Sequence, residues 1–294
     1  MIKQAALIAF LFLAFGCKES NPPIDFGKAG VTLLNDTCYT LATQDIPSAD
    51  YRAILVEDIT GVRCVNCPQA AKAAKHIQDT MEMSDVFILG LYPQQPLNLT
   101  TPASGFEDLR NATSQLIGSN IYEFSNQLPA GGVNRKQFSG QTSIRIPYSL
   151  WENSAKTLDG TNAIVNLELN KLKLNDSTFQ VKSKSSFIQK PEQDVFITVL
   201  LLEDGILHPQ YTLTGTDQSY IHKHVLREAF TPYNGVPLSG PDCLDIDRGV
   251  VVEKGWEVVI PEYVNKANAS ILVFLNYNDA SNKEVLQCTE IKLN

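Results

Sequence analysis

Ala53-Ile54-Leu55-Val56-Glu57-Asp58-Ile59-Thr60, continuing through Gly61-Val62-Arg63-Cys64-Val65-Asn66-Cys67-Pro68, decides the reading of the first half of this chain. The first eight residues have the composition of a buried strand, and Thr60 to Arg63 signals a turn. Pro68 suits a first helical position, where a missing N–H costs nothing. Beyond it, Ala70, Ala73, Ala74, Ile77 and Met81 repeat at helical spacing, with Lys72, Lys75 and Asp79 turned outward. Val86 to Tyr92 reads as a second buried strand, Phe106 to Leu116 as a short helix, Leu128 to Arg135 as a turn into another strand, and Ser149 to Leu158 as a further short helix. Two cysteines therefore stand where a strand hands over to a helix.

That position carries chemistry. The thiolate is the reacting form of cysteine, and a helix N-terminus lowers a cysteine's pKa by its positive potential. Two intervening residues let both sulfurs close a small ring, so attack and resolution can share one site. A zinc knuckle would need a second ligand pair, and only His76 follows nearby. His222 and His224 alternate as two ligands on one strand face would, but no acidic or histidine cluster accompanies them. Asp242, Asp245 and Asp247 lack the glycine and terminal glutamate of a calcium loop. No metal, no phosphate loop and no dinucleotide fingerprint is called, and no cofactor follows from the sequence.

Working outward, residues 1–17 read as an export signal. Lys3 precedes an apolar run from Ala5 to Gly16, too short to span a bilayer. Ala14-Phe15-Gly16-Cys17 resembles a bacterial lipobox, with Ala14 where leucine is usual, so Cys17 is the expected lipidation site and a membrane the expected partner. Residues 18–45 form a tether and an N-terminal strand. From residue 160 the pattern alternates: 163–174, 179–187, 195–203, 250–260, 271–277 and 284–293 are six expected strands. Their spacing predicts an antiparallel Ig-like β-sandwich over 160–294, after an α/β domain over 46–159 with an insertion at about 94–120. The chain has 294 residues, a net charge of −8 and 44% hydrophobic residues, which fills ordinary cores and argues against nucleic acid as a partner.

Five cysteines remain after Cys17, so at least one is free or pairs outside the chain. Cys243 and Cys288 share the second half and are expected to bridge, closing a loop worth roughly 3–4 kcal/mol. Cys38, assigned to a different core, is expected to be free and buried.

The strand, Cys64-Val65-Asn66-Cys67 and the following helix resemble the thioredoxin superfamily. The resemblance implies that Asp58 is the buried acid exchanging protons with the resolving thiol, and that Pro129 is the cis-proline facing the disulfide. Arg63 stands where the family has tryptophan, and Val65-Asn66 replaces Gly-Pro. More broadly, the lipobox, Thr60 to Pro68, Pro129 to Arg135 and Tyr220 to Arg227 resemble the Omp28-type outer-membrane lipoproteins of Bacteroidetes, which implies an outer-membrane address. Two functions follow from different classes. One is a binding, adhesion or assembly module for a protein or glycan, with Cys64–Cys67 a permanent staple. The other is a tethered thiol–disulfide oxidoreductase in which Cys64 attacks and Cys67 resolves. Cys17→Ser is expected to move the protein from the membrane to the soluble envelope fraction, read by fractionation and immunoblotting.

Overall fold

The computed structural model describes residues 31–34, 36–240 and 243–294. Cys17 and Asp242 lie outside the described residues. The protein is a mixed α/β, largely β fold. Its first elements are β1 (Val31–Leu33), β2 (Thr37–Thr40), β3 (Ile54–Ile59), α1 (Cys67–Thr80) and β4 (Val86–Leu91). There follow α2 (Leu97–Thr100), α3 (Ala112–Leu116), β5 (Ala130–Val133) and α4 (Trp151–Lys156). The second half opens with β6 (Val165–Lys173), β7 (Thr178–Phe187) and β8 (Val195–Glu203). Six short strands come next: β9 (Ile206–Leu207), β10 (Gln210–Thr212), β11 (Gly215–Asp217), β12 (Ile221–His222), β13 (Val225–Ala229) and β14 (Val236–Pro237). The chain closes with β15 (Val250–Val259), β16 (Ala269–Tyr277) and β17 (Val285–Lys292). Among the described residues no helix is long and apolar enough to cross a membrane.

All six strands expected after residue 160 are present, yet they do not form a sheet system of their own. One sheet has the order β1-β15-β7-β6, with β2 beside β1 on the same edge of β15. The other runs β17-β16-β8-β13-β4-β3-β5, with β14 also on β8. The second sheet thus contains strands from both sides of residue 160. The link is β13, antiparallel to β8 and parallel to β4, where Val225 pairs with Gly90.

The large sheet curls until its two edges meet. Val285, the first residue of β17, donates its N–H to the Asn134 carbonyl (2.8 Å), just past the end of β5. The Asn134 side chain completes the seam. Its Oδ1 accepts from Leu55 N–H (2.9 Å), and its Nδ2 donates to the carbonyls of Ala53 (3.0 Å) and Val285 (3.3 Å). Asn134 holds a left-handed φ of 47°, a conformation asparagine tolerates better than most residues. Alternate residues of six strands, including Leu55, Leu89, Leu226, Leu200, Phe274 and Cys288, point into one interior cluster. The segment 117–124 adds Ile117, Ile121, Tyr122 and Phe124. On the outer face Ile54, Val56 and Ile88 pack under α1 and α4, while Val199, Ile271 and Val273 face the first sheet.

This geometry corrects the expected bridge between Cys243 and Cys288. The bond joins Cys38 to Cys243, with Cα atoms 5.6 Å apart, and among the described residues Cys288 is the free, buried thiol. Sheet parity is the reason. Cys288 pairs in register with Phe274 and faces the interior of the curled sheet, whereas Cys243 belongs to the cluster between the two sheets. Cys38 reaches that cluster because β2 is an edge strand on β15, with Cys38 opposite Val252. The N-terminal segment therefore does cross to the second half.

Asn134→Ala is expected to destabilise the protein by roughly 2–4 kcal/mol in chemical denaturation, because buried donors and acceptors lose partners at a left-handed position. Hydrogen exchange at the Val285 amide should speed up more than exchange in β7 and β15.

Candidate functional site

Strand β3 is buried along its whole length, and its alternation sorts its two acids. Glu57 points into the curled sheet, where Arg135 and Tyr122 hold it. Asp58 points the other way, toward the layer that contains α1. The turn after β3 is tightened by Cys64 N–H to the Gly61 carbonyl (3.0 Å), and Cys67 N–H reaches the Cys64 carbonyl (3.2 Å). Cys67 is the first residue of α1. Cys64 and Cys67 are joined as a disulfide, with Cα atoms 5.4 Å apart.

Two segments close over this turn. Arg63 N–H donates to the Leu99 carbonyl (2.9 Å), and its guanidinium to the Pro102 carbonyl (3.2 Å). Leu99 comes so close that a Cβ on Gly61 would lie 2.5 Å from its carbonyl oxygen, so only glycine fits there. From the second half, Tyr211 N–H donates to the Val62 carbonyl (2.9 Å), and Gln210 Nε2 donates to the carbonyls of Gly61 (3.2 Å) and Cys64 (3.0 Å). As a result Cys64 is only 2% exposed and Cys67 1%. A reactive pair needs an accessible Cys64, and here Cys64 is buried.

Asp58 is 4% exposed and its Oδ1 has no hydrogen-bond partner among the described residues. Burial pushes its carboxyl from the usual 3.8 up to about 7. Beside it lies a cavity of about 190 Å³ that Asp58 and Cys67 line together with Tyr92, Tyr220 and His222. His222 Nε2 lies 3.1 Å from the His208 carbonyl, which can only accept, so this nitrogen carries the proton. The Tyr92 hydroxyl then donates to His222 Nδ1 at 2.7 Å. Burial lowers the His222 pKa to about 4, which keeps the ring neutral. Tyr92 and Gln210 were not among the sequence candidates, and His222 was weighed only as a metal ligand: nothing local marks residues that meet across the two halves of the chain.

The other candidates take no part in the hydrogen bonds described above. The Leu128–Pro129 bond is cis, and the register Ile59↔Ala130 brings Pro129 level with Thr60, but Pro129 does not line the cavity. His224 takes a φ of 53° and lies near Asp204; it lines the same cavity as Tyr92 and His222 but shares no hydrogen bond with either. Among the described residues no three His, Cys, Asp or Glu side chains converge as a metal site. The Cys288 thiol, buried inside the sheet, is held well above its ordinary pKa by desolvation.

Fold and site together define a largely β protein in which a strand–disulfide–helix unit is built into a larger curled sheet. Residues 119–294, more than half of the chain, match the family described as outer membrane protein Omp28, and the chain belongs to that family. It is accordingly an outer-membrane protein. The matched stretch begins after Cys64 and Cys67. Among solved structures, HBP35 of Porphyromonas gingivalis is similar with a TM-score of 0.63 and 14% identity, over 84% of this chain and 77% of that one. A domain of the outer membrane lipoprotein Omp28 from Porphyromonas gingivalis is 18% identical, over 45% of this chain and 89% of that one, with a TM-score of 0.27. No curated protein matches the chain.

The Asp58 carboxyl has a testable energetic signature. Its folded-state pKa is raised, so the folded protein holds a proton that the unfolded chain has released. Stability is fully present below about pH 4 and is lost as pH rises toward about 7, by up to roughly 4 kcal/mol. Asp58→Asn is therefore expected to equal the wild type near pH 4 and exceed it in stability at pH 8, in urea titrations at both pH values.

Proposed function

We propose that the protein is a lipid-anchored outer-membrane binding or assembly module on a thioredoxin-like scaffold, with Cys64–Cys67 a structural closure. Burial of both cysteines beneath Gln210 and Leu99 carries this reading, because a disulfide substrate has no approach to a sulfur whose residue is 2% exposed. The scaffold is supported by the order β13-β4-β3-β5, with β4 parallel to β3 and β13, β5 antiparallel, and α1 and α4 on one face. The sandwich-like packing of the β6–β7–β15 layer on β8 and β16 supports a rigid platform for a protein or glycan partner. Cys17 supplies the anchor, the lipid chains holding a folded body at the membrane.

A second reading is favoured by one observation. Asp58 is a buried acid near neutrality that lines a cavity with Cys67, as a proton relay to a resolving thiol would. In that oxidoreductase reading the reduced pair acts: Cys64 thiolate attacks a substrate disulfide and expels one substrate thiolate, Cys67 then attacks Cys64 Sγ and expels the other, re-forming Cys64–Cys67 as the substrate is reduced, and Pro129 aligns the substrate backbone. The reduction potential of Cys64–Cys67 separates the two. The structural reading expects a value below about −300 mV by redox-buffer titration; a value in the range of roughly −120 to −270 mV would mark a working couple. In the second case Asp58→Asn should slow resolution by Cys67 and leave the fold intact.

A further inference from the structure

The cavity beside the disulfide has a polar floor, apolar walls and a cationic mouth. On the floor, Asp58 Oδ1 is buried without a partner among the described residues, a desolvated group whose cost a bound donor would offset. The Tyr92 hydroxyl donates its hydrogen bond to His222 Nδ1, which leaves its oxygen free to accept from whatever occupies the cavity. Ile88 and Pro68 supply apolar wall. At the mouth, Lys72 on α1 and Lys223 after β12 are exposed, and neither forms an ion pair among the described residues. Pro129 is not part of this surface, so the cavity is distinct from a groove that would hold a peptide across the disulfide.

Resting on the binding-module reading, we infer that this cavity is a binding site for a compact monocarboxylate with an apolar body and a hydroxyl or amino group at its far end. The carboxylate sits between Lys72 and Lys223, and the distal donor reaches the Tyr92 oxygen and the Asp58 carboxyl. The volume sets the size. About 150 Å³ accommodates one benzene ring, so a cavity of about 190 Å³ takes a single ring with short substituents. Charge sets the polarity, since an ammonium at the mouth would meet two unpaired lysines.

The full chain purified in detergent, against a protein-free micelle blank, provides the test. Three probes differ by one group each: 4-hydroxyphenylacetate, phenylacetate without the distal donor, and tyramine with an ammonium for the carboxylate. Saturation-transfer NMR and calorimetry are expected to show 4-hydroxyphenylacetate binding about tenfold more tightly than phenylacetate, the worth of one satisfied buried group, with no binding of tyramine. Lys72→Ala, an exposed helical position that leaves the fold alone, should weaken 4-hydroxyphenylacetate about as much. Tyr92→Phe should remove its advantage over phenylacetate. Absence of binding by all three, equal binding of all three, or affinity indifferent to both substitutions would overturn the site. The reduction potential of Cys64–Cys67 is read independently, so a failed binding reading and a failed ligand assignment give different results.

Discussion

Glu57 and Arg135 form an ion pair with no solvent exposure on either side chain, inside the curled sheet, and much of the structure is arranged around it. Arg135 Nε and an amino group engage the two carboxylate oxygens at 2.9 and 2.8 Å, the Tyr122 hydroxyl donates to one of them at 2.6 Å, and the guanidinium lies 4.8 Å from the centre of the Phe274 ring. Two charges taken out of water are tolerated here by the bidentate pairing, which leaves only Arg135 Nη1 without a partner among the described residues, and removing one member would strand the other. The pair therefore couples β3, the turn after β5, the segment before it and β16. It also imposes the orientation of the site. With Glu57 turned inward, strand alternation must turn Asp58 outward to the layer of α1, next to Cys67.

The turn after β5 does two jobs with two adjacent left-handed residues. Asn134 uses its backbone and side chain to sew the sheet edges together, and Arg135 delivers the buried charge one residue later. Closing the sheet this way leaves few free edges for unwanted pairing and gives both halves of the chain one interior. The consequence reaches the disulfide. Because β13 is built into the sheet beside β4, the strands around it, β9 to β12, are carried over the Cys64–Cys67 turn, and Gln210 caps it. His222 arrives by the same route to meet Tyr92. The cavity is thus a joint product of the two halves.

The cysteines divide by the face of the sheet they occupy. Cys38 and Cys243 meet in the layer between the sheets, at the edge where the N-terminal strand docks, and their bond closes a separation of 205 residues. Cys288 is sealed inside the other face, beside aromatic and aliphatic neighbours, where a thiol packs as a small apolar group. Counting along the chain put Cys243 and Cys288 together because both follow residue 160. Parity along β17 separates them.

The sequence by itself determined what local periodicity and covalent spacing encode. The strand Ile54–Ile59, the helix from Cys67, the six long strands after residue 160 and the pairing of Cys64 with Cys67 were all legible, since each depends on residues within a few positions of one another. Asp58 was singled out by the resemblance to the thioredoxin superfamily, not by periodicity. Tertiary structure alone decided which strands pair across the chain, because β13 is five residues long and carries no pattern stronger than its neighbours. It decided the Cys38–Cys243 bond, since an edge strand's partner is set by the open edge it finds, here β15. It also decided the burial of Cys64 and the meeting of Tyr92 with His222, 130 residues apart. Accessibility and hydrogen-bond partnership at that distance follow from how sheets close and which segments are carried over them, and no local run of residues encodes that.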